Sequence, residues 1–164
     1  FLVPADAKGV SVQELKTADS HGAAHITFTD VMVGEGALIG AADEGADVLE
    51  PVLDRAAIGQ AAEMLGSSQA AFDMTLEYLQ SRKQFGQLIG SFQSLQHRAA
   101  KMFTELEMTR SCVAAALSAV DEGKTNVAEL ASLAKAKASE LVHLVYIVMI
   151  FIQLFIQCFM FSHI

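Results

Sequence analysis

Two periodicities divide the chain. Near its start, Val10, Val12 and Leu15, then Ala24, Ile26 and Phe28, fall close to every second position, with Thr27 and Thr29 on the alternate side. That spacing predicts half-buried β-strands. Val31-Met32-Val33 is a third short apolar run, and Pro4, Gly9, Gly34, Gly36 and Gly40 punctuate the segment. The pattern is already under way at Phe1–Val3, so it reads as a sheet entered partway, and no basic stretch leading into an apolar run marks a signal peptide.

Around Asp47 the period lengthens. Ile58, Ala62, Leu65, Gln69, Phe72, Leu76 and Leu79 recur at steps of three and four, and all but Gln69 are apolar. They predict one helix from about Asp47 to Arg82, roughly 50 Å long at 1.5 Å per residue. A helix of that length belongs to a bundle. Gly59 and Gly66 lie on one face, and their cost in helix propensity points to a second helix passing close to them. The helix is expected to stop near Phe85-Gly86, with Gly86 in the left-handed position beyond its end.

Ser91 is the expected cap of a second helix, whose stripe is Leu95, Ala99, Met102, Leu106, Val113, Ala116 and Val120. Glu122-Gly123-Lys124 is a turn. Asn126 with Glu129 resembles a capping box for a third helix through Leu130, Ala134 and Leu141. Short connections imply antiparallel neighbours. The expected fold is therefore mainly α: a short N-terminal β-strand segment (residues 1–45) followed by an antiparallel bundle of long helices (46–145).

Residues 146–164 form an apolar tail of doubtful origin. Within Leu141–Phe161 only His143, Gln153 and Gln157 are clearly polar. Such a stretch is long enough, at about 30 Å, to cross a hydrocarbon core. Three readings fit: a transmembrane helix, a fully buried core helix, or non-native sequence after a broken reading frame. Its β-branched and aromatic density is an aggregation hazard if it stays uncovered.

Composition narrows the function classes. The 164 residues are 52% hydrophobic and 18% charged, which excludes a disordered tail and leaves room for a sizeable core. Eleven Lys and Arg against nineteen Asp and Glu give a net charge of −8, with no basic stripe of the kind nucleic acid requires. The charge is uneven. Ten acids against Lys8 and Lys16 occupy the first 54 residues, and every charged residue precedes position 141. Cys112 and Cys158 supply neither a disulfide framework nor metal spacing, and His21 and His25 lack a carboxylate cluster, so no metal site is expected. The balance of charge fits a cytoplasmic protein, with membrane contact possible only through 141–161.

The strongest local signal is Arg82-Lys83-Gln84-Phe85-Gly86, followed by Phe92-Gln93-Ser94-Leu95-Gln96-His97. From pattern alone it reads as a helix end, where cations complement the dipole and Phe-Gly makes a hydrophobic cap. The alternative is a polyphosphate cofactor, with Arg82 pairing a phosphate and Phe85 packing on a ring.

Taken with Asp54-Arg55-Ala56-Ala57-Ile58-Gly59-Gln60-Ala61-Ala62-Glu63-Met64-Leu65-Gly66, these blocks resemble the C-terminal helical domain of the FAD-dependent acyl-CoA dehydrogenases. Phe1-Leu2-Val3-Pro4 through Phe28-Thr29-Asp30-Val31-Met32-Val33 is similar to the second half of that family's middle β-domain, so the resemblance covers about residues 1–145. It implies dehydrogenation between the α- and β-carbons of an acyl-CoA thioester. By the same resemblance Arg82, Lys83 and Gln84 contact the FAD of a neighbouring subunit in a homo- or hetero-oligomer. Phe85 packs near its adenine end, and Phe92 and Gln93 complete the cradle. Asp54 and Arg55 fall in the stretch lining the acyl-CoA site.

The chain departs from the family in lacking the N-terminal helical domain, the first half of the β-domain and the Gly-Gly segment expected just past Val145. Some members place the catalytic base at the start of the first long helix, where this chain has Ala56, which accepts no proton. No base is assigned, and the resemblance implies a chain incomplete for catalysis alone. A helical interaction module without catalysis, attached to a membrane through Leu141–Phe161, is the competing reading.

Overall fold

In the computed structural model the described residues are 1–19 and 21–160, with side chains as far as Ile152. The order is β1 (Val10–Leu15), β2 (Ala23–Phe28), a 3-10 turn (Glu35–Ala37), α1 (Gly45–Ser81), β3 (Lys83–Gln84), β4 (Gln87–Leu88), a second 3-10 turn (Ile89–Ser91), α2 (Gln93–Asp121) and α3 (Val127–Met160). The chain divides into two units, Phe1–Glu50 and Pro51 onward.

In the first unit β1 and β2 pair antiparallel, from Val10↔Phe28 to Leu15↔Ala23. Gly9, at φ +95°, starts this ladder because a Cβ there would stand 2.1 Å from the Thr29 carbonyl oxygen. The strands were expected to be half-buried. They are instead exposed: Val12 is 50% accessible and Phe28 58%. A two-stranded ribbon has no second layer of its own to cover its apolar face. Val31-Met32-Val33 joins no strand; Asp30, at φ 50°, turns the chain away from the ladder.

The second unit is a three-helix assembly; α1 starts within two residues of the expected Asp47 and ends at Ser81, beside the expected Arg82 but short of the stop expected near Phe85-Gly86. Its buried edge is displaced from the predicted stripe. Ile58, Phe72 and Leu79 are buried, but so are Ala61, Ser68, Ala71 and Thr75, while Leu65 and Leu76 pack only partly. Apolar counting passes over Ser68 and Thr75, yet a mid-helix hydroxyl can be buried by bonding to its own helix. The Thr75 hydroxyl does so, donating to the Ala71 carbonyl at 2.7 Å, whereas the buried Ser68 hydroxyl makes no hydrogen bond among the described residues. Gly59 and Gly66 lie on the exposed side of α1, where an added Cβ would meet nothing within 4 Å. Among the described residues no atom outside α1 comes within 4 Å of either added Cβ.

The α2 stripe holds: Met102, Leu106, Val113 and Ala116 are buried. The helix ends in a Schellman motif at Gly123 (φ 63°), where the Lys124 N–H donates to the Ala119 carbonyl and the Gly123 N–H to that of Val120. At the start of α3 the Leu130 N–H donates to the Asn126 carbonyl at 3.2 Å.

The core has two parts of different grain. Toward the α2–α3 turn, Ala61, Ala116, Ala131, Ala134 and Ala138 pack with Ile58 and Val113. Toward the other end, Phe72, Leu79, Ile89, Met102 and Leu106 pack with Leu141, Val145, Val148 and Ile152. The third helix runs on past Val145 without a break, and Val148 and Ile152 are 3% and 4% exposed. Tyr146, Ile147, Ile150 and Phe151 on the other faces of that segment are exposed. Among the residues whose side chains are described, as far as Ile152, no helix is long and apolar enough to cross a membrane. The remainder of the proposed 141–161 span lies outside the described side chains.

Two polar ties brace the helices. The Arg110 guanidinium donates to the Gln69 side-chain oxygen at 2.6 Å, joining α2 to α1. Lys137 of α3 bridges to Glu105 of α2 at 2.8 Å and to Glu140 at 3.3 Å. The hydrogen bond to Glu105 raises the Lys137 pKa above its ordinary value, against a smaller opposing effect of burial.

Two outcomes follow for the full chain. Leu106→Ala, at a position 1% exposed, should cost about 2–5 kcal/mol in urea unfolding. Lys137→Met should cost about 1 kcal/mol at neutral pH. Because the folded-state pKa is raised, that contribution is complete below the unfolded-state value and lost as pH climbs through the folded-state one. Parallel urea titrations of the two chains at neutral and strongly alkaline pH should therefore converge at the alkaline end.

Candidate functional site

The end of α1 and the start of α2 are joined by a reversal that brings six of the eight candidate residues together. Sequence spacing predicts that α1 runs on to Phe85-Gly86. It stops instead at Ser81, whose hydroxyl donates to the Glu77 carbonyl at 2.8 Å. Residues 83–88 then form a hairpin, with Lys83 opposite Leu88 and Gln84 opposite Gln87. Its two central residues, Phe85 (φ 55°) and Gly86 (φ 80°), both have positive φ, the requirement of a type I′ turn. Gly86 therefore serves a hairpin and not a helix C-terminus.

Local packing fixes this hairpin. Ile89 is 2% exposed, and its N–H donates to the Arg82 carbonyl at 2.9 Å. Gly90 passes beneath α1, where a Cβ would lie 2.6 Å from the Leu79 carbonyl oxygen. The Ser91 hydroxyl donates back to the Leu88 carbonyl at 2.6 Å and does not cap α2. Phe92 takes the N-cap position without a side-chain cap bond, so the expected role of Ser91 is corrected. The Gln96 amide donates to the Gly90 carbonyl at 2.9 Å, completing the corner.

Arg82 and Gln84 are half-buried, Lys83 and Gln93 exposed. Phe85 is 59% exposed although its backbone sits in the left-handed region, which costs a β-carbon-bearing residue about 1–2 kcal/mol. Its ring meets Phe92 edge-on, with centroids 6.2 Å apart at 77°. Between Tyr78 and Thr104 the sequence carries Arg82, Lys83, Arg98 and Lys101 and no carboxylate. In a chain of net charge −8 this is a local reversal of sign. Phe92 brings no side-chain oxygen to the first N–H groups of α2, so the positive end of the helix dipole adds to it. Together these groups offer cations, amides, backbone N–H donors and an aromatic face: the set that a nucleotide diphosphate and its base require.

Asp54 and Arg55 lie elsewhere. Asp54 is half-buried and Arg55 exposed on α1, its guanidinium donating to the Pro51 carbonyl at 2.9 Å. From Asp54 to the last turn of α1 is about 40 Å along the helix. One chain therefore does not bring the two candidate groups into a single site. Sequence reasoning missed Ile89 and Gly90, the anchors of the corner. The only local sign of them was the Phe-Gly pair between polar residues, read there as a helix end.

Residues 43–155 match the family model described as acyl-CoA dehydrogenase, C-terminal domain. The chain is 36% identical over 148 residues to the mitochondrial short/branched chain specific acyl-CoA dehydrogenase of Bos taurus, covering 88% of this chain and 34% of that protein. It is 30% identical over 143 residues to the glutaryl-CoA dehydrogenase of Desulfococcus multivorans, covering 86% and 37%. Its fold is similar to that of a glutaryl-coenzyme A dehydrogenase solved with glutaryl-CoA, with a TM-score of 0.80 at 28% identity over 89% of this chain and 38% of that one. It is likewise similar to PigA solved with FAD and proline, with a TM-score of 0.83 at 26% identity over 90% and 39%. The chain spans roughly a third of the length of the curated relatives it matches.

The corner yields a stability test. Gly90→Ala must move either Leu79 or the hairpin and should cost about 1–3 kcal/mol, read as a lowered melting midpoint by circular dichroism.

Proposed function

Since the chain belongs to the acyl-CoA dehydrogenase family, we propose that its hairpin corner holds the diphosphate and adenosine side of an FAD whose flavin ring lies in a neighbouring protomer. FAD, when bound, supplies the acceptor for the hydride that leaves the acyl β-carbon. The residues of this chain bind and orient. Arg82 and Lys83 neutralise the diphosphate, Gln84 and Gln93 donate to its oxygens, and the exposed Phe85 ring, steadied edge-on by Phe92, packs against the base. The observation that carries this reading is the reversal of charge at the hairpin, with an exposed aromatic ring in left-handed backbone at its tip.

The roughly 40 Å between Asp54 and the hairpin supports sharing across an interface. In this reading Asp54 and Arg55 face the acyl-CoA bound beside their own bundle, while the hairpin serves the partner's cofactor. Ala56 takes no part in proton transfer, and the carboxylate that removes the α-proton comes from outside the residues assigned to either group. The assembly is then an oligomer.

The test is titration of the full chain with FAD, followed by quenching of flavin fluorescence. Arg82→Ala should weaken binding about tenfold or more, the scale of one charge-assisted hydrogen bond, and Lys83→Ala less. Equal affinity in wild type and Arg82→Ala overturns the reading.

A further inference from the structure

A two-residue ladder such as β3–β4 is marginal by itself, and its geometry must be imposed from the stems on either side. Both stems meet the same stretch of α3. Met149 and Ile152 line a cavity of about 240 Å³ with Met74, Thr75 and Tyr78 of α1. The Tyr78 carbonyl accepts the Arg82 N–H at 2.9 Å, so this cavity lies against the stem that enters the hairpin. On the other stem, the Arg98 guanidinium of α2 lies over the Phe151 ring, 4.6 Å from its centroid. Val148 and Ile152 share one buried cluster with Leu79 and Ile89, and Phe92 packs against that cluster.

We infer that α3 residues 148–152 act as a bracket that positions the hairpin, with Phe151 a positioning residue for the anion-binding tip. This rests on the reading of that tip as the cofactor cradle. The bracket acts through three connections. Ile152 packs beside the last turns of α1, Phe151 restrains Arg98 in the first turns of α2, and the shared cluster fixes Ile89, whose N–H closes the corner onto Arg82. The bracket residues 148–152 are none of the residues assigned to the cradle, Arg82, Lys83, Gln84, Phe85, Phe92 and Gln93. The stretch read from sequence as a tail of doubtful origin is, in this inference, what holds the tip in register.

The experiment uses the full chain and three variants: Phe151→Leu, which keeps bulk but removes the ring; Phe151→Trp, which keeps a face for Arg98; and Arg82→Ala. Two quantities are read: FAD affinity by flavin fluorescence, and hydrogen exchange of the Ile89 amide. Phe151→Leu should weaken FAD binding and speed Ile89 exchange by about two- to fivefold, the range of one cation–π contact. Phe151→Trp should restore both. The melting midpoint, tracked by circular dichroism, should stay near wild type in each Phe151 variant, since the ring is 42% exposed. If Phe151→Leu leaves Ile89 exchange and FAD affinity unchanged while Arg82→Ala loses affinity, the bracket is overturned and the cradle stands. If Arg82→Ala binds FAD as wild type does, or wild type does not bind it, the cradle fails, and Ile89 exchange alone then decides the bracket.

Discussion

The passage of Gly90 beneath the Leu79 carbonyl governs the arrangement around it. With only 2.6 Å available where a Cβ would sit, no other residue fits without displacement. That contact fixes how far the chain can travel after α1 before it must turn back. It lets Ile89 enter the core, places Phe92 at the head of α2 and leaves the hairpin with Lys83 exposed and Arg82 half-buried. The corner hydrogen bonds from Ile89, Ser91 and Gln96 all close within a few residues of this point. A rigid corner made this way costs little order elsewhere, because both helices that bound it are already packed.

Net charge is a poor guide to what such a corner binds. The chain is acidic overall, yet an anion at the hairpin feels chiefly the charges within about one Debye length, some 8–10 Å at physiological ionic strength. Between Tyr78 and Thr104 the sequence carries four cations and no acid, with Glu77 one turn before Ser81 on α1. The acids concentrated in the first 54 residues belong largely to the other structural unit. Local sign and a preorganised backbone therefore decide the ligand class, while the total charge bears on solubility.

Much of this was legible in the sequence, and the failures have physical causes. The long helices were visible because their apolar residues recur at three and four over many turns, and the Glu122–Lys124 turn because glycine marks the left-handed residue of a Schellman motif. The ends of α1 and α2 at the corner were not. Phe85-Gly86 is as good a helix terminus as it is a type I′ turn, and only the tertiary burial of Ile89 distinguishes them. Ser91 looked like a cap because serine so often is one, but its hydroxyl turns back to Leu88. Gly59 and Gly66 promised a close helix contact that the described residues do not make, whereas the close approach at Gly90 in the bundle's corner carried no periodic sign. The six hairpin candidates came from a motif, and their convergence from the fold. That Asp54 and Arg55 stand a helix length away follows only once α1 is seen to be continuous.

The uneven grain of the core has a further consequence. Where Ala61, Ala116, Ala131, Ala134 and Ala138 meet, each residue removes little apolar area from water, whereas Phe72, Met102, Leu106 and Leu141 at the hairpin end remove much more. Sub-global opening then begins at the alanine-lined end and spreads last to the corner. The soft region at the α2–α3 turn lies at the opposite end of the bundle from the hairpin, so thermal breathing that starts there leaves the cationic tip assembled.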